Sequence, residues 1–177
     1  GAYNVAVGSL ALDANTTASY NTSVGYVALG ANTTGAHLVA IGKGALENNT
    51  TASYNVAVGS NVLPANTTGA ANVGMGYAAL NSNTTASNNT AIGHYAMISN
   101  TTGTGNVAVG AYALDANTTA DNNTAVGYAA LSANTDGTAN TAVGMQALVL
   151  VSTGDNNTAV GYLAGDAITT GGGNVAI

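Results

Sequence analysis

Large apolar side chains fall at one phase of a seventeen-residue period along this chain. Leu12, Leu29, Leu46, Leu63, Leu80, Met97, Leu114, Leu131 and Leu148 hold the column, which fails only at Gly165. A second phase carries short apolar triplets such as Val5-Ala6-Val7 and Val107-Ala108-Val109, with large residues two apart and a small one between. Gly8, Gly25, Gly42, Gly59, Gly76, Gly93, Gly110, Gly127, Gly144 and Gly161 close each triplet without a slip. A period this strict means one supersecondary unit stacked on itself, so the chain reads as a repeat array. With the glycine as position 1, a partial unit at residues 1–7 precedes ten units over residues 8–177. No linker or shift in composition divides them, which predicts a single domain. The chain opens without Met and stops one residue short of the next glycine, from which we expect a fragment of a longer array.

Units of this length, rich in Gly and paired Thr, leave no room for a helix. Asn-Gly is absent and Asp-Gly occurs once, at Asp136-Gly137, so tight antiparallel hairpins lack their signal. An all-β parallel β-solenoid with one coil per unit follows. A fully extended unit spans ~56 Å, which predicts a narrow coil of two strands and two turns, stacked at ~4.8 Å. The triplet suits a short strand. Its middle residue is always small (Ser23, Ala40, Ala57, Gly74 and onward to Ala176), which suggests a close neighbour on that side. On this reading the large residues fill the coil's own core and the small face meets a second chain. One Leu and two Val or Thr per coil bury too little to offset the ordering of a whole unit, so chains are expected to share a core.

Polar positions are as regular as apolar ones. One asparagine column runs from Asn15 to Asn134 and then becomes Val151 and Ile168; the other runs from Asn4 to Asn174 with Leu38 as its exception. Replacement by aliphatic residues marks both as semi-buried, with amides stacked between coils. Position 6 accepts Asp13, Gly30, Glu47 and Pro64, and a site that accepts Pro needs no ladder amide, so it is a turn facing solvent.

Composition narrows the function classes. Lys43 is the only cation against seven acidic residues, which leaves nothing to neutralise phosphates and argues against nucleic-acid binding. The longest apolar run, Ala147 to Val151, is far short of the ~20 residues of a membrane helix, so no membrane insertion is expected. There is no Cys to supply a disulfide or thiolate metal site. Disorder is disfavoured because Leu and Val keep a fixed phase.

The motifs NVAVG (Asn4 to Gly8, Asn55 to Gly59, Asn106 to Gly110), NTAIG (Asn89 to Gly93) and NTAVG (Asn123 to Gly127, Asn140 to Gly144, Asn157 to Gly161) resemble the repeats in heads of YadA-like trimeric autotransporter adhesins. The longer form, NTAVGYxAL followed by NTTG, is similar to repeats of phage tail fibres and related bacterial surface proteins that end in an endosialidase-type intramolecular chaperone. The resemblance covers the entire chain. It implies a left-handed β-roll, a homotrimeric fibre and an extracellular, cell-surface or virion location, with attachment to a cell-surface glycan or host receptor as the task. The unit is longer than that of the adhesin heads, and no catalytic residue belongs to the motif.

Candidate chemistry is sparse, and no enzyme activity, cofactor or metal is expected. His37 and His94 lie in different columns about four coils apart and read as surface residues. The acidic residues lack the GGxGxD pattern of calcium rolls and read as separate solvated charges. Tyr26, Tyr77, Tyr128 and Tyr162 share position 2, while Tyr3, Tyr20 and Tyr54 share position 13. Exposed Tyr rows fit sugar contact or packing between chains. The Asn-x-Thr triplets follow from the repeat itself and carry no separate signal for glycosylation. Two alternatives to a receptor-binding fibre stand beside it: an ice-binding solenoid built on the paired Thr, disfavoured because adjacent Thr point to opposite faces of a strand, and a self-assembling filament without a receptor.

Overall fold

A computed structural model describes residues 1–177. Eleven short strands, from β1 (Val5–Val7) to β11 (Val175–Ala176), recur once per unit and pair in chain order within one parallel sheet. The register carries each repeat position onto its equivalent: Val5 opposite Thr22, Thr22 opposite Val39, Ala57 opposite Gly74. The molecule is a parallel β-solenoid of seventeen-residue coils with no helix.

Each coil holds one strand, where the sequence predicted two. The remaining positions form turns, yet the inter-coil ladder runs through them. Of 107 backbone hydrogen bonds only 20 lie within the strands. Val27 N–H donates down to Ser9 O at 3.0 Å, and Leu29 N–H donates up to Ala45 O at 3.0 Å. This alternation comes from left-handed backbone at positions 3 and 5, as at Val27 (φ 52°) and Leu29 (φ 50°), with the same at position 13, as at Tyr20 (φ 62°). Such dihedrals cost an L-residue ~1–2 kcal/mol. They persist because each keeps an amide on the ladder, and because position 5 thereby buries its Leu completely in most coils.

The strand faces the opposite way from the sequence expectation. The small middle residues (Ala40, Ala57, Ala91, Ala108, Ala125, Ala142, Ala159) point inward and are fully buried, while the flanking Val, Thr, Ile and Met side chains face out. The core is therefore closed within one chain from the Leu column, the Ala of position 4 and the Ala of position 16. The reason is width. In a coil this narrow the position-16 side chain meets positions 4 and 5 across the interior, as Gly74 shows: a Cβ there would lie 2.5 Å from Val62 Cγ1 and 3.6 Å from Leu63 Cδ1. A Val pair aimed inward has no space.

Position 6 is a turn, as its Pro implied. Leu63 O accepts the Asn66 N–H at 3.3 Å, and Pro64 takes the second place of that turn, where a fixed φ is favourable. Elsewhere in the column the amides of Gly30 and Ile98 bond within their own coil, to Val27 O and Tyr95 O, so the ladder loses nothing at Pro64.

Candidate functional site

The glycine column is structural. At Gly127 φ is +140°, and a Cβ would lie 2.3 Å from Gly144 O of the next coil. Backbones approach here too closely for any side chain, which explains why the column admits no other residue.

Both asparagine columns lie inside, deeper than the semi-buried sites expected. Asn117 Nδ2 donates to Asn100 Oδ1 at 2.8 Å and to Ala120 O at 3.1 Å, and its own Oδ1 accepts from Asn134 Nδ2 at 3.0 Å. The amide ladder stops where Val151 follows, which leaves Asn134 Oδ1 buried without a partner. The second column ties coils differently: Asn106 N–H donates to Asn89 Oδ1 at 2.9 Å while Asn106 Nδ2 donates to Ala120 O at 2.8 Å. One carbonyl at position 11 thus receives both amides, since Ala120 O also accepts from Asn117. These buried Asn are scaffolding, and the Asn-x-Thr triplets they begin are closed to modification in the folded chain.

A two-coil alternation escaped the sequence reading. Positions 11 and 12 read Ala18-Ser19, Gly35-Ala36, Ala52-Ser53, Gly69-Ala70, Ala86-Ser87, Gly103-Thr104 and Ala120-Asp121. The Ser or Asp caps the amide of the coil before it. Ala36 N–H donates to Ser53 Oγ at 3.0 Å, and Thr138 N–H and Oγ1 donate to Asp155 Oδ1 at 2.6 and 3.0 Å. Those Thr138 bonds, backbone first, hold the Asp155 carboxyl below its usual range. The Gly of the alternate coil is steric, because a Cβ at Gly69 would strike Ala86 O. The signal was present as a 34-residue repeat beneath the stronger period of seventeen.

The outer surface divides into three stripes. The outward strand face is Val or Thr at position 15 and Val, Ile or Met at position 17, without a charge from end to end. Beside it runs position 13, where Tyr3, Tyr20, His37 and Tyr54 stack face to face with ring centroids 5.0, 5.0 and 5.3 Å apart. His37 belongs to this Tyr column by register, a relation visible as its seventeen-residue distance from Tyr20. The third stripe, of position-10 Thr, includes Thr34, Thr51, Thr68, Thr85 and Thr102, all exposed. Its position-9 neighbours instead donate along the stack to the next coil, as Thr33 Oγ1 does to Thr50 O at 3.0 Å. The paired Thr therefore supply a single file.

The position-2 tyrosines are exposed (Tyr26 52 %, Tyr77 46 %, Tyr128 52 %, Tyr162 66 %) but are not brought together. Tyr77 stacks on His94 at 5.6 Å, and Tyr128 meets Tyr112 edge-on at 5.9 Å, so these two belong to a local aromatic cluster that also holds Tyr95. Tyr26 and Tyr162 stand apart. A shallow open cavity of about 230 Å³ lies where Gly30 separates Asp13 from Glu47 over Leu10 and Val27. Its carboxylates sit two coils apart, ~10 Å at the coil spacing, too far to share a cation. No three His, Asp or Glu side chains converge anywhere. Burial raises the Asp115 carboxyl above its usual range, against partly offsetting bonds from the Asp115 and Ala116 amides.

Compared with known proteins, the chain matches no family model, no curated protein and no solved structure. No helix is long and apolar enough to cross a membrane.

Proposed function

We propose that this chain is a rigid segment of an extracellular attachment fibre, of adhesin or phage tail-fibre type, in which three copies associate along the outward strand face. The uncharged Val/Thr and Val/Ile/Met face carries this reading. It spans two side-chain columns ~7 Å apart and runs for ten coil steps, ~48 Å. An uncharged strip in which Val, Ile and Met recur in every coil fits an association surface, and its strict periodicity fits a partner with the same period, a further copy. The reason for association thus moves from the small inner face to the large outer one. The left-handed winding and the trimer follow the repeat resemblance. The chemistry on the surface is that of a shaft that presents contacts, with Tyr26 and Tyr162 free to meet a glycan or receptor.

The test is the mass of the folded particle. Light scattering and sedimentation of the parent at micromolar concentration should give three chains per particle. Val56→Lys with Val58→Lys, on the outer face of one strand, should shift the particle toward a monomer with its β circular dichroism retained. A compact parent monomer overturns the reading. Thermal hysteresis in the parent would instead favour the ice-binding alternative.

A further inference from the structure

The position-13 aromatic column ends in an open ring face. Tyr3, Tyr20, His37 and Tyr54 lie in successive coils with planes within 13°, 8° and 6° of one another. Tyr20 and His37 are covered on both faces. Tyr54 is covered on one face by His37, while the next coil offers Ala71 in its place. Tyr54 is accordingly 63 % exposed against 54 % for Tyr20. The backbone does not deviate here. His37, Tyr54 and Ala71 share left-handed φ values of 57°, 64° and 57°, so Ala71 continues the track and lacks only the ring.

One coil further, Asn88 resumes the track at φ 62° with an exposed side chain. Two coil steps separate Tyr54 from Asn88, ~10 Å, which leaves a notch one ring thick above the floor at Ala71. At its edge Ser87 Oγ accepts the Ala70 N–H at 3.0 Å and keeps its own proton for a further bond.

We propose that this notch binds a neutral hexopyranose, with the apolar face of the sugar on the Tyr54 ring and its hydroxyls bonded to the Asn88 amide and the Ser87 hydroxyl. An aromatic face beside polar groups is the pairing that suits an amphipathic ring. The notch opens to water on its outer side, so the ligand's outer edge must be hydrophilic, which favours a sugar over an aromatic hydrocarbon. An anionic sugar is disfavoured by a net charge of −6 and a single Lys in the whole chain. The proposal stands on the notch alone and holds whether or not the chain serves as a fibre.

The experiment is an NMR titration of the full chain carrying ring-labelled tyrosine, with methyl β-D-glucopyranoside and methyl β-D-galactopyranoside as probes. The Tyr54 signal is assigned by its loss in Tyr54→Phe. With either sugar it should shift and saturate in the millimolar range. Ala71→Tyr continues the ring column, so it should keep the fold and abolish the shift. Asn88→Ala should weaken binding severalfold. The proposal is overturned by the absence of a saturable shift up to 100 mM sugar, by a shift that survives Ala71→Tyr, or by N-acetyl-tyrosinamide shifting Tyr54 at concentrations where neither sugar does.

Discussion

At the scale of single residues, the inner columns turn small chemical changes into large penalties. Gly127 combines a φ of +140° with a virtual Cβ 2.3 Å from Gly144 O, so Gly127→Val should cost more than ~2 kcal/mol, read as a lowered denaturation midpoint. Asn117→Asp tests burial of the amide ladder. The carboxylate loses both donors and faces Asn100 Oδ1 and Ala120 O, so the folded pKa is raised above the unfolded ~3.9. For a raised acid the penalty is absent where both states are protonated and grows as pH rises through the unfolded value toward the folded one. The variant should therefore unfold well before the parent at pH 7 and approach it near pH 3; equal stability at both would place Asn117 in solvent. Asp155 has the opposite sign. Its bonds from Thr138 depress the folded pKa, so its contribution is present above the unfolded value and is lost as pH falls through the folded one. Asp155→Asn should flatten the parent's acid limb below about pH 4, as followed by thermal melts across pH.

At the scale of the coil, exceptions to the repeat come in compensating pairs. Position 4 is Ala in every coil except at Val62, while position 16 is Gly only at Gly74. These two exceptions share a coil and face each other, since a Cβ on Gly74 would meet Val62 Cγ1 at 2.5 Å. Gly74→Ala alone should overpack the coil by ~1–3 kcal/mol. Combined with Val62→Ala it restores the common Ala–Ala pairing and should recover most of that loss, a coupling of ~1 kcal/mol or more in a double-mutant cycle. Additive effects would mean that the two side chains do not touch. Gly165 follows the same logic at position 5, where Leu148 Cδ2 and Ile168 Cδ1 close on the space that a Leu fills elsewhere.

At the scale of the whole molecule, each coil contacts only its neighbours, so stability accumulates along the rod. The alternation at positions 11 and 12 makes two coils the true structural repeat over much of its length. Removing residues 76–109 joins Met75 to Gly110, stacks Ala70 against Asp121 and keeps the alternation, whereas removing only residues 93–109 sets Ala86 beneath Ala120, in the place that Gly103 occupies under it in the parent. The one-coil deletion should therefore melt below the two-coil deletion, although it removes less core. The reverse order would show the alternation to be energetically neutral.

The sequence by itself determined the period, the stacking of one coil per unit, the Leu core, the interior Asn ladders and the forced glycines. Each of these is a translational property, and a strict repeat states it directly. Tertiary structure alone decided which face of the triplet turns inward. A two-residue alternation satisfies either orientation equally well, and the choice falls to the space inside the coil: Ala159 and its equivalents fit against the Leu column where a Val pair does not. The count of one strand per coil was decided in the same way. Left-handed Leu and Tyr backbones sustain the ladder through the turns, at dihedrals that no residue preference would predict and that only inter-coil bonding and burial hold in place.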